Sequence, residues 1–248
     1  MEITSVNNEY VKECCKLQQK KYRTQTGKFL LEGYKTIKEA FDFGIKIEKI
    51  FVDKKNISDY YFVKNVIIET NESVLKKLST TESAPSAVGI GQQIKYDKNV
   101  LKNAKKIVLL EDIKDLGNLG TIIRSSLAFK ADGIILYGDS VDIYNPKCVR
   151  AAVGNLWKLP IIHINNFAEL KENFSNFKRI ATLPRTDNML KNFSIKEPCI
   201  VMFGSEANGL SDELVNFATD TVKIEMTENV ESLNLASSVS VILYTLFV

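Results

Sequence analysis

The chain has 248 residues, of which 45% are hydrophobic and 25% are charged, as in folded globular proteins with one large domain or two smaller ones. Its net charge of +3 is too small to indicate a nucleic-acid partner by itself. With the single histidine His163 and four cysteines that form no C-x-x-C pair, the chain has no H-E-x-x-H metal site, and we expect no bound metal and no disulfide framework.

Targeting and membrane signals are also missing from the sequence. No apolar run reaches the roughly 18 residues that a membrane-spanning helix needs, and the N-terminus lacks a signal-peptide pattern. We therefore expect a cytoplasmic protein with no membrane segment.

Positive charge is concentrated in the first 28 residues, where six residues are basic and three are acidic. Residues 6–21 are predicted to form one helix, in which Lys12, Lys16 and Lys20 recur every four residues and line one face. Such a row is usually a solvated helix surface, but here more basic residues follow it, which favours contact with phosphates. The candidate phosphate-binding residues are Lys12, Lys16, Lys20, Lys21, Arg23 and Lys28.

The rest of the N-terminal region is predicted to be a small α/β unit. Its predicted strands are residues 29–32, 47–52, 66–69 and 87–92, and its predicted helices are residues 34–43 and 73–78. The polar, lysine-rich stretch 94–105 is predicted to be a linker. These patterns place a first domain at residues 1–93.

Strands and helices alternate regularly from residue 106 to residue 248, which is the predicted second domain. The predicted strands are residues 107–110, 133–137, 159–164, 179–183, 200–203 and 222–226. The predicted helices are residues 119–129, 146–153, 167–174, 211–217 and 232–247, with Asn145 as a helix cap. This alternation predicts an α/β domain with a parallel sheet and helices on both faces.

Three loops rich in glycine and asparagine follow apolar strands, at residues 111–124, 203–210 and 226–234. Any one of them is most simply a turn or a helix cap. Three together at the carboxyl ends of parallel strands favour a composite ligand site. The sequence has no G-x-x-x-x-G-K-[ST] segment, which argues against a P-loop nucleotidase.

The same loops carry three ordered motifs, which the sequence matches residue by residue. The first, N-x-G-x-x-x-R, matches Asn118, Gly120 and Arg124. The second, G-[ST]-E-x-x-G-[LI], matches Gly204, Ser205, Glu206, Gly209 and Leu210. The third, I-P-M-x-x-x-x-S-L-N-[VA]-[SA], matches Ile224, Met226, Ser232, Leu233, Asn234 and Ala236, with Glu225 in place of the usual proline and Leu235 where valine is common.

With these motifs, residues 107–247 resemble the SpoU (TrmH-like) branch of the SPOUT RNA methyltransferases. Residues 21–33 more weakly resemble the small RNA-binding domain, related to a ribosomal-protein fold, that precedes the catalytic domain in many members. The resemblance implies a trefoil-knotted C-terminal domain that binds S-adenosylmethionine and forms a homodimer with sites near the subunit interface.

The resemblance also implies roles for the matched residues. The expected catalytic residues are Asn118, Arg124, Glu206, Ser232 and Asn234. The expected cofactor-binding residues are Gly204, Ile224, Met226 and Leu233. The lysine-rich N-terminal segment, Arg23 included, would then bind RNA phosphates. Because an arginine is normally protonated, we interpret Arg124 as stabilising negative charge and leave the proton acceptor open.

The implied reaction is methyl transfer from S-adenosylmethionine to a ribose 2′-hydroxyl of structured RNA, either ribosomal or transfer RNA. Two alternatives stay within the same fold: a non-catalytic RNA-binding member and a methyltransferase that modifies a base. A third alternative is an unrelated nucleotide-binding α/β enzyme, which the missing phosphate-loop fingerprints disfavour.

Overall fold

The computed structural model describes residues 1–195, 198–230 and 232–248, so Glu231 of the third predicted loop lies outside the described residues. In chain order, the helices are α1 (Glu9–Cys15), α2 (Lys20–Thr26), α3 (Tyr34–Phe43), α4 (Glu72–Leu78), α5 (Leu116–Ala128), α6 (Pro146–Ala152), α7 (Phe167–Phe174), α8 (Asp212–Phe217) and α9 (Leu235–Phe247). The strands are β1 (Lys28–Glu32), β2 (Ile47–Asp53), β3 (Ile67–Thr70), β4 (Ala87–Gln92), β5 (Lys106–Glu111), β6 (Gly133–Tyr137), β7 (Ile161–Ile164), β8 (Lys178–Thr182), β9 (Cys199–Phe203) and β10 (Asp220–Val222).

These elements form two compact units. The first contains Met1–Ile94 and Asp142–Trp157, and the second contains Lys95–Val141 and Lys158–Val248. Residues 142–157 therefore belong to the first unit, although they were expected in the second domain. The reason is aromatic packing, because the ring of Tyr144 lies 4.8 Å and that of Trp157 6.2 Å from the ring of Phe29, centroid to centroid.

The first unit is built on a four-stranded sheet in the order β1-β4-β2-β3. Strand β4 runs antiparallel to both β1 and β2, whereas β2 and β3 are parallel. One face buries Leu30, Phe51 and Val88 against apolar residues of α1 and α4. The 3-10 turns within Lys54–Val66, interrupted by a kink at Val63, have no counterpart among the predicted elements, because the sequence there lacks a clear apolar period.

The helix predicted over residues 6–21 is broken. Helix α1 ends at Cys15, a 3-10 turn follows over Lys16–Gln18, and Gln19 is extended with φ −102° and ψ 136° before α2 begins. The break follows from tertiary contacts: the side-chain amide of Gln18 donates hydrogen bonds of 3.0 Å to the carbonyls of Lys77 and Leu78. The predicted row of lysines with a period of four is therefore wrong, since no single helix carries it.

Arg23 was predicted to contact RNA phosphates, and its position corrects that prediction. Only 1% of the residue is exposed. Its Nε forms a 2.7 Å ion pair with Asp142, and its Nη1 donates a 2.9 Å hydrogen bond to the carbonyl of Leu17. Arg23 is a structural residue of the first unit, because its charge is paired and its Nε and Nη1 donate to groups of that unit.

The second unit contains a six-stranded sheet in the order β10-β8-β9-β5-β6-β7. Every pairing in this sheet is parallel, which confirms the predicted α/β class. The central strands β5 and β9 are almost wholly buried, as expected for strands covered on both faces.

The stretch predicted as a linker is part of the second unit. Lys98–Leu101 forms a 3-10 helix, and Leu101 is fully buried in the core of this unit. Tyr96 and Ala104 pack against the same core. The polar residues of this stretch led to the linker prediction, but its few apolar residues decide its placement.

The two elements that flank the third predicted loop are shorter than predicted. Strand β10 ends at Val222, since Lys223 instead exchanges backbone hydrogen bonds with Asn188 and Leu190 in the loop after β8. Helix α9 starts at Leu235, with Asn234 as its cap. Among the described residues, no helix combines the length and the apolar character needed to cross a bilayer.

Candidate active site

The first motif lies where strand β5 leads into helix α5. Asp115 caps the helix, and its carboxylate accepts a 2.7 Å hydrogen bond from the backbone N–H of Asn118. This cap places Asn118 in the first turn, with its side chain half-buried at the carboxyl edge of the parallel sheet. The edge is where ligands bind in open α/β sheets.

A chain of hydrogen bonds joins all three motifs at this edge. The side-chain Nδ2 of Asn118 donates a 2.6 Å hydrogen bond to Oε1 of Glu206. The Nδ2 of Asn234 donates a 3.1 Å hydrogen bond to Oδ1 of Asn118. Glu206 and Asn234 are exposed, so the chain of donors and acceptors faces solvent, where a substrate has access.

Asn234 has a second role at the start of α9. Its Oδ1 accepts hydrogen bonds from the backbone N–H groups of Ala236 at 2.9 Å and Ser237 at 3.3 Å. The same amide thus caps the last helix through its oxygen and holds Asn118 through its nitrogen. This double use of its two ends sets the orientation of the Asn234 amide.

The second motif folds back on itself after strand β9. Gly209 donates a 2.9 Å hydrogen bond to the carbonyl of Ser205 and has a φ of +67°, which favours glycine. A Cβ added to Gly204 would lie 1.9 Å from the carbonyl carbon of Gly209, so only glycine fits there. The tight return presents Glu206 at its tip.

A cavity of about 630 Å³ lies within these loops. All four predicted cofactor residues line it: Gly204, Ile224, Met226 and Leu233. Ser232 and the hydrogen-bonded residues Glu206 and Asn234 line the same cavity. The volume falls in the range of roughly 300–1,000 Å³ that small-molecule sites occupy.

Sequence reasoning missed part of this lining. Thr182, Leu183 and Pro184 lie at the end of strand β8 and just beyond it, and Ser238 and Ile242 belong to α9. Thr182, Leu183 and Pro184 reach the cavity because β8 lies beside β9, and the carboxyl ends of neighbouring parallel strands meet at one edge. The turn-forming residues after the predicted strand 179–183 were the sequence signal that could have indicated these lining residues.

Arg124 is the motif residue that the structure does not join to the others. It lies on α5, is exposed, and makes no hydrogen bond or ion pair with any described residue. Six residues of helix after Asn118 correspond to a rotation of about 240° and an advance of roughly 9 Å. The convergence of Arg124 with Asn118, Glu206 and Asn234 on a single pocket therefore stays a prediction.

The departure at Glu225 has a structural counterpart. The Glu225 carboxylate forms an ion pair with Lys191, which lies in the 3-10 turn after β8. Both side chains are about half exposed, so the pair adds little to stability. The neighbouring residues Ile224 and Met226 still line the cavity.

The candidate RNA-binding lysines of the first unit are all at least partly exposed. Lys12 pairs with Glu9 at 2.8 Å and Lys28 pairs with Glu48 at 2.6 Å. The ammonium groups of Lys16 and Lys21 lie 5.7 and 6.0 Å from the ring centroid of Tyr22. Within the described ranges, no group of three or more His, Cys, Asp or Glu side chains is arranged to hold a metal ion.

Comparisons with known proteins agree with the motif pattern. The model of the SpoU rRNA methylase family matches residues 105–244, and that of the MRM3-like substrate binding domain matches residues 8–89. A tRNA/rRNA methyltransferase of Synechocystis, itself uncharacterized, is 33% identical over 98% of this chain and 92% of its own length. The 23S rRNA (guanosine(2553)-2′-O)-methyltransferase RlmP of Bacillus subtilis is 27% identical over 99% of this chain and 98% of its own length.

Among solved structures, an rRNA methyltransferase from Sinorhizobium meliloti with bound S-adenosylmethionine superposes with a TM-score of 0.87. It is 28% identical, and the superposition covers 99% of this chain and 96% of that one. The family match spans the whole parallel sheet and all three motif loops. The chain therefore belongs to the SpoU rRNA methylase family.

Proposed function

We propose that this protein transfers the methyl group of S-adenosylmethionine to a ribose 2′-hydroxyl of ribosomal RNA. The observation that carries the proposal is the hydrogen-bond chain from Glu206 through Asn118 to Asn234 beside the motif-lined cavity. The named activity of the Bacillus subtilis relative supports both the 2′-hydroxyl and ribosomal RNA as the acceptor.

The cavity fits the cofactor by size and by chemistry. Apolar side chains such as Leu183, Ile224 and Ile242 can cover an adenine ring, and the loops of Gly204 and Leu233 offer backbone donors and acceptors. The related rRNA methyltransferase from Sinorhizobium meliloti holds the same cofactor in its crystal structure. Bound S-adenosylmethionine supplies a methyl group made electrophilic by its sulfonium.

The protein's own residues must orient the hydroxyl and stabilise the charge that develops on it. A ribose hydroxyl is a poor nucleophile at neutral pH, so alignment and proton removal set the rate. Asn118 holds Glu206 with one end of its amide and is held by Asn234 at the other. We assign these three residues, with Ser232 on the cavity wall, to orienting the ribose.

Arg124 is assigned to stabilising the oxyanion and a neighbouring phosphate, which a guanidinium does through its planar set of donors. Arg124 forms no hydrogen bond with Asn118, Glu206 or Asn234. We therefore propose that it completes the site of a partner subunit. The homodimer would form through α9 and its C-cap, where Val241, Tyr244 and Val248 are 43%, 61% and 66% exposed. These residues recur at helical spacing on one face.

Helix α9 packs against α5, the helix that carries Arg124. A dimer built on α9 therefore brings the surroundings of Arg124 to the interface. We further propose that the C-terminal segment is threaded as a trefoil knot, as the family membership implies. The four cysteines form no disulfide among the described residues, and we propose a reducing, cytoplasmic location.

The first unit is proposed to hold the RNA substrate through Lys12, Lys16, Lys20, Lys21 and Lys28. Its match to a substrate-binding domain supports this role. Lysines contribute phosphate contacts that position RNA without reading its sequence, so binding should weaken as salt rises. Arg23 does not belong to this set, since it is buried in its pair with Asp142.

The test is to map 2′-O-methyl positions in total RNA from cells with and without the protein, and to repeat the reaction with purified RNA. We expect one ribose methylation in ribosomal RNA that depends on the protein. A methyl group on a base would support base-directed chemistry instead. Cofactor binding without any transfer would support a non-catalytic RNA-binding protein.

A further inference from the structure

The first unit contains a cavity that the catalytic assignment does not use. It has a volume of about 350 Å³ and lies between α1, the turn that follows it, α2 and the strands β1, β2 and β4. The lining residues that matter here are Tyr10, Glu13, Lys16, Tyr22, Lys28 and Glu48. Aromatic rings, ammonium groups and carboxylates thus share one small concave site.

Tyr22 supplies an aromatic surface beside two ammonium groups. It lies in the first turn of α2, is half-buried, and has the ammonium groups of Lys16 and Lys21 within 6.0 Å of its ring centroid. Unstacked RNA bases stack on aromatic side chains, while lysines contact the phosphates that follow. Tyr10, which also lines the cavity, is held in place because its ring stacks on that of Phe51 with centroids 5.8 Å apart.

Glu48 adds an acceptor that phosphate binding alone does not need. Its side chain is 24% exposed and accepts hydrogen bonds from Lys28 at 2.6 Å and Gln92 at 3.0 Å. Burial raises the pKa of Glu48, but the hydrogen bonds from Lys28 and Gln92 outweigh it and the pKa lies below its usual value. An ionised carboxylate has further lone pairs and accepts from N–H groups of a base.

We propose that this cavity binds one unstacked nucleotide of the RNA substrate, whose base stacks on Tyr22 and donates an exocyclic amino group to Glu48. The phosphates on either side lie on Lys16 and Lys21. Cytosine, adenine and guanine carry such an amino group, whereas uracil presents a carbonyl oxygen that the carboxylate repels. This inference rests on the proposed function, because it takes the substrate to be RNA.

The experiment uses the full chain and fluorescein-labelled oligocytidylate and oligouridylate of about five nucleotides, with anisotropy measured at low salt. The two pyrimidines differ at the ring position that carries the amino group or the oxygen, so stacking differences are small. We expect oligocytidylate to bind more tightly than oligouridylate. Glu48→Gln should reduce this preference.

Tyr22→Leu should weaken oligocytidylate binding by roughly 5- to 150-fold, the effect of losing one stacked base. Tyr22→Phe keeps the ring and should bind like the unmodified protein, which separates stacking from a folding defect. Tyr61→Leu is the matched control, because Tyr61 is 64% exposed in the same unit and does not line the cavity. Circular dichroism checks the fold of each variant.

Equal binding of the two oligonucleotides together with unchanged affinity in Tyr22→Leu would overturn the assignment. Absence of oligonucleotide binding at low salt would also overturn it and would point to a protein ligand for the cavity. A different result would contradict the proposed function. If oligonucleotides bind as expected but no RNA is methylated, the reaction is wrong and the cavity assignment stands.

Discussion

Asn118 donates a 2.6 Å hydrogen bond to Glu206, a residue 88 positions further along the chain. Its amide oxygen accepts from Asn234, which is 116 positions away. Because an amide has one donating and one accepting end, these two contacts give the chain of three residues a single direction that ends on the carboxylate. The carboxylate of Glu206 is therefore oriented by neutral donors at the edge of the cavity.

The charge of Glu206 is expected to matter more than its hydrogen bond. Glu206→Gln keeps an oxygen that accepts from Asn118, so the fold and the affinity for S-adenosylmethionine should persist. Turnover should fall by roughly 10- to 150-fold, since hydrogen bonds to charged groups are worth about 1.5–3 kcal/mol. The measurement is single-turnover methylation, with Glu172→Gln on α7 as the control. A variant with normal turnover would remove Glu206 from the catalytic group.

Asn234 allows capping and catalysis to be separated. Asn234→Ala removes both functions and should lower the free energy of unfolding by about 1 kcal/mol. Asn234→Ser keeps a side chain that caps α9 but lacks the amide that reaches Asn118, so it should be close to the unmodified protein in stability. Urea unfolding and turnover are measured on both variants. Full activity in Asn234→Ser would show that the bond to Asn118 is dispensable.

Alanine substitutions at the two glycines of the second motif are expected to differ in their effect on cofactor affinity. Gly204→Ala places a methyl group 1.9 Å from backbone atoms of Gly209, so the loop must move and cofactor affinity should fall roughly 5- to 150-fold. Gly209→Ala meets no atom within 4 Å and bears only the strain of its φ of +67°, about 1–2 kcal/mol. Calorimetric titration with S-adenosylmethionine ranks the two. A weaker effect at Gly204 than at Gly209 contradicts this interpretation of the loop.

Mixed dimers test whether Arg124 acts on the partner's site. Arg124→Ala and Glu206→Ala should each be almost inactive, since loss of a charge-stabilising donor costs roughly 10²–10³ in rate. If each site combines one subunit's Glu206 with the other's Arg124, random mixing should restore about a quarter of the activity. Half of the dimers are then mixed, and each has one intact site. Mixtures that stay inactive while exchanging subunits place Arg124 and Glu206 in the same subunit's site.

The buried pair of Arg23 and Asp142 is expected to stabilise the first unit. Arg23→Ala leaves a partly buried carboxylate unpaired and should cost about 3–5 kcal/mol of unfolding free energy. Trp157, the single tryptophan, is 1% exposed in the same unit, so its fluorescence reports this unfolding. Lys20→Ala, an exposed neighbour, should change stability by less than about 0.5 kcal/mol. Equal stability in both variants would return Arg23 to the RNA-contact set.

Local signals in the sequence predicted the first and last residues of several elements correctly. Helix α3 and strands β4 and β6 have the predicted bounds, and Asn145 caps the helix that Pro146 opens. These features depend on apolar period, caps and glycine, which act over a few residues. The ordered motifs likewise predicted part of the cavity lining, because loops at the carboxyl ends of parallel strands meet at one edge.

Other features depend on contacts between residues far apart in the chain. The spacing of the lysines predicted one helix face, but the hydrogen bonds of Gln18 to the carbonyls of Lys77 and Leu78 accompany a break in the helix. Arg23 looked like a phosphate ligand until Asp142, 119 residues away, paired with it. Arg124 matched its motif, but its direction on α5 depends on where that helix begins. Most of the elements, the family and several residues that line the cavity could therefore be predicted from the amino-acid sequence. The tertiary structure decided which charges are buried and which face solvent, because a side chain's partner is set by whatever distant segment packs beside it.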